Sequence, residues 1–285
     1  MFYRRAGNIY EGRKRVREGL PERYVERAVA LLNDLQRTGA CFDGGRVLEV
    51  GTGWVHWEGL VTSLAYDVEL TLFDVWDDRL WRPFRSYAGA LRLRLNELPL
   101  PPDRLQGAER KLAEIEEADG FEAVYAALNA RYVIESSGKL DQFADASFDL
   151  IVSSDVLEHV QASAVPSFIG DTWRISRPGA YTIHAIDLVD HFTYFDPGMP
   201  WKNYYRYSDR TWQSLLQSDV QYFNRVQKPE WLIAFKNAGF EVVRETHTVA
   251  DPGVERVART YRGLTPQDLA CAQMRVICRK AASSL

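Results

Sequence analysis

One stretch, residues 46–54 (RVLEVGTGW), constrains the fold of this chain more than any other. It begins with a short apolar run, interrupted only by Glu49, which is typical of a strand buried in a parallel sheet. Gly51 and Gly53 follow at once, and two glycines so close together allow the backbone to turn sharply. From residue 57 onward, apolar residues recur at helical spacing. The stretch therefore predicts a strand, a glycine turn and a helix, an arrangement that leaves backbone amides open to a ligand.

The spacing of the glycines argues against a dinucleotide-binding motif. Such a motif would place its third glycine at His56, where an imidazole cannot give the close packing that glycine gives. A second predicted strand (residues 68–73) ends at Asp74, roughly twenty residues after the glycine turn. A carboxylate at that point can accept hydrogen bonds from both hydroxyls of a ribose, or it can only cap a helix that begins near Asp77. We favour ribose binding, by Asp74 and not by Asp77 or Asp78.

Later stretches continue the alternation of strands and helices. Residues 131–135 predict a short strand, and residues 149–153 predict a buried strand followed by a helix over 155–160. A turn at 177–180 leads into a fifth strand at 181–187. A helix at 231–238, a strand after it and a closing strand at 273–279 complete the pattern. Alternation of this kind predicts an α/β fold with a mostly parallel sheet.

With these stretches in order, Glu49-x-Gly51-x-Gly53 resembles motif I of the class I S-adenosylmethionine-dependent methyltransferases. The runs FDLIVSSDVLEHV (148–160) and RISRPGA (174–180) resemble further signatures of that family. The resemblance covers roughly residues 45–77, 131–190 and 229–280. It implies a Rossmann-like, doubly wound, mostly parallel seven-stranded sheet with helices on both faces. It also implies methyltransferase activity with S-adenosyl-L-methionine as the cofactor.

The resemblance also assigns residues to the cofactor. The acid of motif I would lie near its amino-acid end, the glycine amides would line it, and two serines that end the fourth strand would lie beside its methionine end. Two positions depart from the family pattern: Val55 stands where a third glycine is usual, and Ser137 stands where an acid usually contacts the adenine. The residues implied in cofactor binding are Glu49, Gly51, Gly53, Trp54, Asp74, Ser137, Gly138, Ser153 and Ser154.

Three segments are expected to elaborate a single domain of residues 1–285. Residues 1–44 predict an N-terminal helical cap, and residues 79–130 a helical insertion that either covers the substrate side or only packs on the core. Residues 187–228 form an aromatic-rich segment on the substrate side. Basic residues at the start of the chain either form a solvated face or cover the cofactor cleft; they are Arg4, Arg5, Arg13, Lys14, Arg15 and Arg17.

By the resemblance, the aromatic segment lies where these methyltransferases commonly place substrate contacts. Aromatic rings beside asparagine and arginine suit a sugar or an aromatic polyol, because rings stack on apolar faces while amides and guanidinium groups bind hydroxyls or phosphate. The alternative is a tyrosine-rich loop that packs on itself. The predicted substrate contacts are Tyr194, Trp201, Tyr204, Tyr205 and Arg206.

Methyl transfer to a hydroxyl also requires loss of the hydroxyl proton, so a base is expected at the edge of the sheet. His191 and His159 are the candidate catalytic residues, because both follow predicted strand ends. His184 is expected to lie within the fifth strand. A divalent metal at Asp187, Asp190 and His191 is conceivable, but their spacing fits no ligand motif, so no metal is expected.

Composition limits the other partners. A net charge of −4 gives no reason to expect nucleic acid, and three dispersed cysteines suggest neither disulfides nor zinc. No apolar run is long enough to span a membrane and no secretory signal is evident, so a cytoplasmic protein is expected. The expected function is O-methylation of a small hydroxylated acceptor, such as a saccharide or glycoconjugate precursor. The alternatives are methylation of a nitrogen or carboxylate of another small molecule, and a non-catalytic partner subunit; the oligomeric state is left open.

Overall fold

The computed structural model describes residues 12–196, 198–217 and 222–282. Seven strands form one sheet in the order β3-β2-β1-β4-β5-β7-β6. The strands are β1 (Arg46–Val50), β2 (Glu69–Asp74), β3 (Ala130–Ile134), β4 (Phe148–Ser154), β5 (Ser176–Asp187), β6 (Phe240–Val249) and β7 (Cys271–Lys280). Pairs β1–β2, β1–β4 and β2–β3 are parallel, whereas β6 and β7 are antiparallel. This order confirms the predicted Rossmann-like fold.

Eight α-helices of five or more residues have complete bounds within the described residues. They are α1 (Glu22–Thr38), α2 (Trp57–Ala65), α3 (Trp81–Arg92), α4 (Leu105–Glu117), α5 (Phe121–Ala127), α6 (Val165–Ile175), α7 (Lys228–Asn237) and α8 (Pro266–Ala270). Residues 12–18 are also helical. Helices α3 to α5 make up the predicted helical insertion. None of the described helices combines the length and the apolar character needed to cross a membrane.

The described residues cluster into two compact units, the first of which comprises residues 12–153 and 175–181. Its pairs β1–β2 and β2–β3 run parallel: Val50 is opposite Phe73, and Asp74 is opposite Ile134. Because neighbouring parallel strands end at the same edge, the carboxyl ends of β1, β2 and β3 bring their following loops together. This edge carries the predicted cofactor residues.

The second unit comprises residues 154–174 and 182–285. Its core includes Ile186, Trp231, Phe235 and Met274, all almost fully buried. His184 is fully buried and its ring stacks on Phe235 with a centroid distance of 5.4 Å. This interior position agrees with the expectation that His184 lies within the fifth strand.

One predicted element is wrong. The helix expected over residues 155–160 is only a 3-10 turn, Leu157–His159. Asp155 has φ of +56°, a left-handed conformation that does not continue a right-handed helix. The Asn224 side-chain amide donates to the carbonyl oxygens of Leu157 (2.8 Å) and Val160 (3.0 Å), so these groups are satisfied without helical partners.

A close helix–strand contact follows the glycine turn. Gly59 of α2 packs so tightly that a Cβ atom there would lie 2.7 Å from Glu49 Oε2 and 2.9 Å from the side chains of Leu70 and Leu72. The backbone amide of Gly59 donates to the same Glu49 oxygen at 2.9 Å. Gly59 therefore gives the close approach of helix and strand that the imidazole of His56 cannot give.

We expect Gly59→Ala to lower the free energy of unfolding by about 1–3 kcal/mol, because the new methyl group overpacks a buried contact. Gly107→Ala is the matched control: Gly107 is also within a helix, and no atom lies within 4 Å of a Cβ built there. Urea unfolding of both variants measures the difference. Equal stability of the two variants would contradict the close contact at Gly59.

Candidate functional site

The acid of the glycine turn is a buried structural group. Glu49 is 2% exposed, and its carboxylate accepts the Gly59 amide of α2. Burial raises its pKa well above the ordinary value, and the nearby charge of Glu58 acts in the same direction. Glu58 in turn accepts a hydrogen bond from Arg27 Nε at 3.0 Å. The sequence predicted Glu49 beside the amino-acid end of the cofactor; the contact it makes here fixes the path of the turn.

Asp74 lies at the carboxyl end of β2 and faces the glycine turn. Its Oδ2 accepts the Gly53 amide at 2.8 Å and its Oδ1 accepts the Val75 amide at 2.7 Å. The side chain is half-buried, and this burial raises its pKa in spite of the amides. Each carboxylate oxygen has two lone-pair sites, so both oxygens can still accept a hydroxyl. The geometry thus leaves Asp74 able to bind a ribose while it orders the turn.

Two further predicted cofactor segments are the turn after β3 and the end of β4. Gly138 has φ of +70° and its amide donates to the Glu135 carbonyl oxygen at 2.9 Å, closing a tight turn that contains the exposed Ser137. Ser153 is buried at the end of β4 in the first unit, and Ser154, in the second unit, is partly exposed. The assignment of these serines and of Gly138 to the cofactor stays a prediction.

The backbone of the glycine turn in the first unit leaves room for a nucleoside cofactor. Gly51 and Gly53 have φ of +66° and +58°, which favour glycine. A Cβ atom at Gly53 would meet only the Gly51 carbonyl oxygen, at 3.8 Å, so open space lies above this backbone. Side chains there would fill the space that a ligand needs. The open backbone of this turn therefore fits S-adenosylmethionine; the contacts of the turn and of Asp74 with the cofactor stay predictions.

Trp54 of the turn is covered by a basic residue from the start of the chain. The Arg15 guanidinium lies 3.8 Å from the centroid of the Trp54 ring, a cation–π contact. Of the predicted basic cluster, Arg4 and Arg5 lie outside the described residues, whereas Arg15 touches the motif itself. This contact supports the interpretation that the N-terminal segment covers the cofactor residues.

His56 lies at the centre of a buried hydrogen-bond network. The sequence analysis considered it only as the position where a dinucleotide-binding motif would have its third glycine. Its Nδ1 is 2.7 Å from the Thr52 hydroxyl and its Nε2 is 3.0 Å from the Tyr125 hydroxyl. Arg79 donates to that hydroxyl at 3.2 Å. Burial lowers the pKa of His56 to about 3, so the ring is neutral. The network joins the glycine turn to the helical insertion. His56 itself has a left-handed φ of +44°.

The second unit carries the predicted catalytic histidines on neighbouring turns. The His191 and His159 ring centroids are 5.0 Å apart, and His191 Nε2 is 3.7 Å from Asp187 Oδ2. The Tyr194 hydroxyl donates to the same Asp187 oxygen. Burial lowers the pKa of His191 to about 4, and the neighbouring His159 contributes. The structure therefore brings both histidines together with the carboxylate that ends β5.

Glu158, which was not predicted as a site residue, lies in the same group. Its side chain is 2% exposed, and neither carboxylate oxygen has a well-aligned hydrogen-bond partner among the described residues. Burial raises its pKa, and the charges of Asp155 and Asp187 add to the effect. Donor atoms of Glu158, His159 and His191 all lie within 4.8 Å of one another.

The aromatic segment divides into exposed and buried members. Tyr194 and Trp201 are 61% and 52% exposed, and Arg206 is also exposed, so these three can meet an acceptor. Tyr204 and Tyr205 are fully buried in a cluster with the rings of Trp212, Phe223 and Tyr261. The prediction that Tyr204 and Tyr205 contact an acceptor directly does not agree with this arrangement, because both rings are buried in the core.

A buried lysine holds this core in place. Lys202 Nζ donates to the Leu188 carbonyl oxygen and, at 3.1 Å, to the Tyr204 hydroxyl. Gln227 accepts the Tyr205 hydroxyl at 2.6 Å. Burial lowers the pKa of Lys202 to about 7. Tyr204 and Tyr205 therefore support the exposed residues of the segment through a fully hydrogen-bonded interior.

The chain was then compared with known proteins. The family model described as "Methyltransferase domain" matches residues 22–245. No curated protein is significantly similar to the chain in sequence.

Solved structures of similar fold are numerous. One is a protein from Galdieria sulphuraria described as a sarcosine dimethylglycine methyltransferase, with 12% identity over 90% of this chain and 86% of that chain, and a TM-score of 0.53. Another is a SAM-dependent methyltransferase from Methanosarcina mazei, with 14% identity over 86% of this chain and 96% of that chain, and a TM-score of 0.48. A third is a phosphoethanolamine N-methyltransferase from Haemonchus contortus in complex with phosphomonomethylethanolamine and S-adenosylhomocysteine. It has 14% identity over 90% of this chain and 53% of that chain, and a TM-score of 0.49.

The neutral state of His56 predicts a pH dependence of stability. Its pKa of about 3 in the folded chain lies below the ordinary value near 6.5, so the unfolded chain binds a proton that the native chain does not. The free energy of unfolding should therefore fall as the pH drops below about 6.5. We expect His56→Asn, which tolerates a left-handed φ, to be destabilised at pH 7.5 but to lose about 1 kcal/mol less than the unaltered chain between pH 6 and 5.

Urea unfolding at several pH values measures this effect. His247→Asn is the matched control, because it removes an imidazole from the surface of β6 and not from the interior. Parallel pH curves for His56→Asn and the unaltered chain would contradict a neutral, buried His56.

Proposed function

The chain belongs to the S-adenosylmethionine-dependent methyltransferase family, and we propose that it methylates an oxygen of a small hydroxylated acceptor, such as a saccharide or glycoconjugate precursor. The observation that carries this proposal is the group formed by Asp187, Tyr194, His191 and His159 in the second unit. A hydroxyl is a weak nucleophile until it loses its proton, and adjacent imidazoles and a carboxylate can promote that loss. S-Adenosylmethionine, when bound, supplies the methyl group on an electrophilic sulfonium.

The cofactor residues follow from the first unit. We assign the turn of Gly51 and Gly53 to the amino-acid and ribose part of the cofactor, and Asp74 to the ribose hydroxyls. Trp54 with its Arg15 partner would cover the same part. The remaining assignments are carried over from the family pattern and are Glu49, Ser137, Gly138, Ser153 and Ser154.

The acceptor residues follow from the second unit. Tyr194 and Trp201 expose aromatic faces and Arg206 exposes a guanidinium, a combination that suits a sugar ring with an attached phosphate or hydroxyls. Asn224 and Arg225 do not share this role. Asn224 binds the carbonyl oxygens of the turn before α6, and Arg225 donates to Asp209 and Tyr261 at 3.0 Å.

An amine acceptor is the second candidate. The charges of Asp155, Glu158 and Asp187 act on one another, and exposed aromatic rings are nearby in sequence. Carboxylates with aromatic faces also suit a cationic amine. A neutral amine can be methylated without prior loss of a proton, so the two acceptors make different demands on the histidines.

Incubation with S-adenosylmethionine carrying a labelled methyl group distinguishes these acceptors. A panel of hydroxylated compounds, with amine and carboxylic acid analogues of matched skeleton, is the substrate set. We expect label in the hydroxylated members, held in an ether that resists alkali. Label in the amines alone, or in an alkali-labile ester of the carboxylic acids, would contradict methylation of a hydroxyl group.

With an acceptor in hand, the histidines can be separated. We expect His191→Asn to lower kcat by about 10²–10⁴ with little change in cofactor affinity, because the residue acts on the acceptor. His159→Asn should lower kcat as well, and it should also disturb cofactor binding if the segment after β4 contacts the methionine part. His247→Asn serves as the control on the surface. Unchanged turnover in both His191→Asn and His159→Asn would exclude the histidines from the reaction.

A further inference from the structure

We propose that Glu158, His159 and His191 form a binding site for one divalent transition-metal ion such as Zn²⁺. The three side chains offer one carboxylate and two imidazoles, and their donor atoms lie within 4.8 Å of one another. Ligand atoms of a tetrahedral site, each about 2.1 Å from the ion, are about 3.4 Å apart, so the donor atoms would have to approach one another by up to about 1.4 Å on binding. The proposal deepens the proposed function, since it concerns how the same histidines act on an acceptor.

The first argument is the uncompensated carboxylate of Glu158. Both of its oxygens are buried without a well-aligned hydrogen bond from any described residue; only the backbone amides of Glu158 and Asp187 approach it. The nearby acids, Asp155 and Asp187, add negative charge. Burying an ionised carboxylate in this way is costly, so the group binds a proton unless a cation pairs with it. A bound cation would supply the missing partner.

The second argument is the orientation of the two imidazoles. His159 Nδ1 is 2.8 Å from the Tyr222 carbonyl oxygen, which can only accept, so Nδ1 carries the hydrogen. The lone pair of His159 is therefore on Nε2, the atom left for coordination. Histidine ligands of metals are usually fixed in this way by a carbonyl oxygen or carboxylate. His191 Nε2 is likewise buried and has no hydrogen-bond partner among the described residues.

The third argument is access and chemistry. His159 is exposed, so an ion can reach the group from solvent, while Glu158 and His191 are buried. Two imidazoles with one carboxylate favour Zn²⁺, Co²⁺ or Fe²⁺ over Mg²⁺ and Ca²⁺, which prefer oxygen donors. Three protein ligands also leave positions open for water or for an acceptor oxygen.

Coordination changes the role of the histidines in the proposed reaction. With an ion bound, His191 and His159 act as ligands, and an acceptor hydroxyl bound to the ion loses its proton more readily. Asp187, 3.7 Å from His191 Nε2, is then placed to accept the proton that the hydroxyl loses. Without an ion, His191 would have to accept the proton directly.

The test is titration of Zn²⁺ into the full chain after chelator treatment, followed by calorimetry. We expect one equivalent of Zn²⁺ to bind. Glu158→Gln and His191→Asn should each weaken this binding by about 100-fold or more. Loss of a residue that only orients a ligand by a hydrogen bond already weakens metal binding about 10–100-fold. His247→Asn should bind as the unaltered chain does, and Mg²⁺ should not compete. Co²⁺ should give a visible absorption band that both site variants lack.

The outcomes are separable from those of methyl transfer. Absence of stoichiometric Zn²⁺ and Co²⁺ binding by the folded chain would overturn the metal site. So would binding that survives in both Glu158→Gln and His191→Asn, with folding checked by circular dichroism. If His191→Asn lowers methylation while no metal binds, direct proton transfer to His191 stands and the ion does not. If the metal binds and no acceptor is methylated, the site stands and the proposed acceptor class fails.

Discussion

The contact between the Glu49 carboxylate and the Gly59 amide is the constraint on which the first unit depends. It ties the end of β1 to the first turn of α2, and it is possible only because Gly59 has no side chain. A buried carboxylate is tolerated there because an amide at a helix N-terminus compensates for lost solvation. With the turn held in this way, the amide of Gly53 reaches Asp74 on the neighbouring strand. One buried acid thus sets the geometry of the cofactor residues.

The fold was accessible from the sequence because its signals are local. Short apolar runs, glycines and helical periodicity each specify an element within a few residues, and their order specifies a parallel sheet. The helix expected at 155–160 failed because its outcome depends on a distant residue. Asn224 binds the carbonyl oxygens of that turn from more than sixty positions away in the chain. No local pattern around Asp155 reports such a partner.

The site was accessible only in part, for the same reason. Asp74 could be placed beside the glycine turn because it ends a predicted strand shortly after that turn; its contact with a ribose stays a prediction. The sequence analysis left open whether the aromatic segment contacts the substrate or packs on itself, and it assigned Tyr204 and Tyr205 to the substrate. Their burial depends on Lys202 and Gln227, which carry no recognisable motif.

The groups that the sequence analysis missed are assembled by the fold. His56 meets Tyr125 only because the helical insertion returns to the glycine turn. Glu158 and His159 meet His191 across a helix and a strand of intervening chain, so no ligand spacing could indicate a metal. The expectation that no metal binds therefore rested on sequence spacing alone. A metal site whose ligands are far apart in sequence can be recognised only from the distances between side chains in the folded chain.

The central claim is that S-adenosylmethionine binds at the edge where β1 and β2 end, with Asp74 at its ribose. Calorimetric titration of S-adenosylhomocysteine into the unaltered chain, Asp74→Ala and the neighbouring control Asp78→Ala tests it most directly. We predict one binding site, unaltered in Asp78→Ala and at least about ten-fold weaker in Asp74→Ala, because two charge-assisted hydrogen bonds are lost. Unchanged affinity in a folded Asp74→Ala protein, or equally tight binding of NAD, would contradict the account.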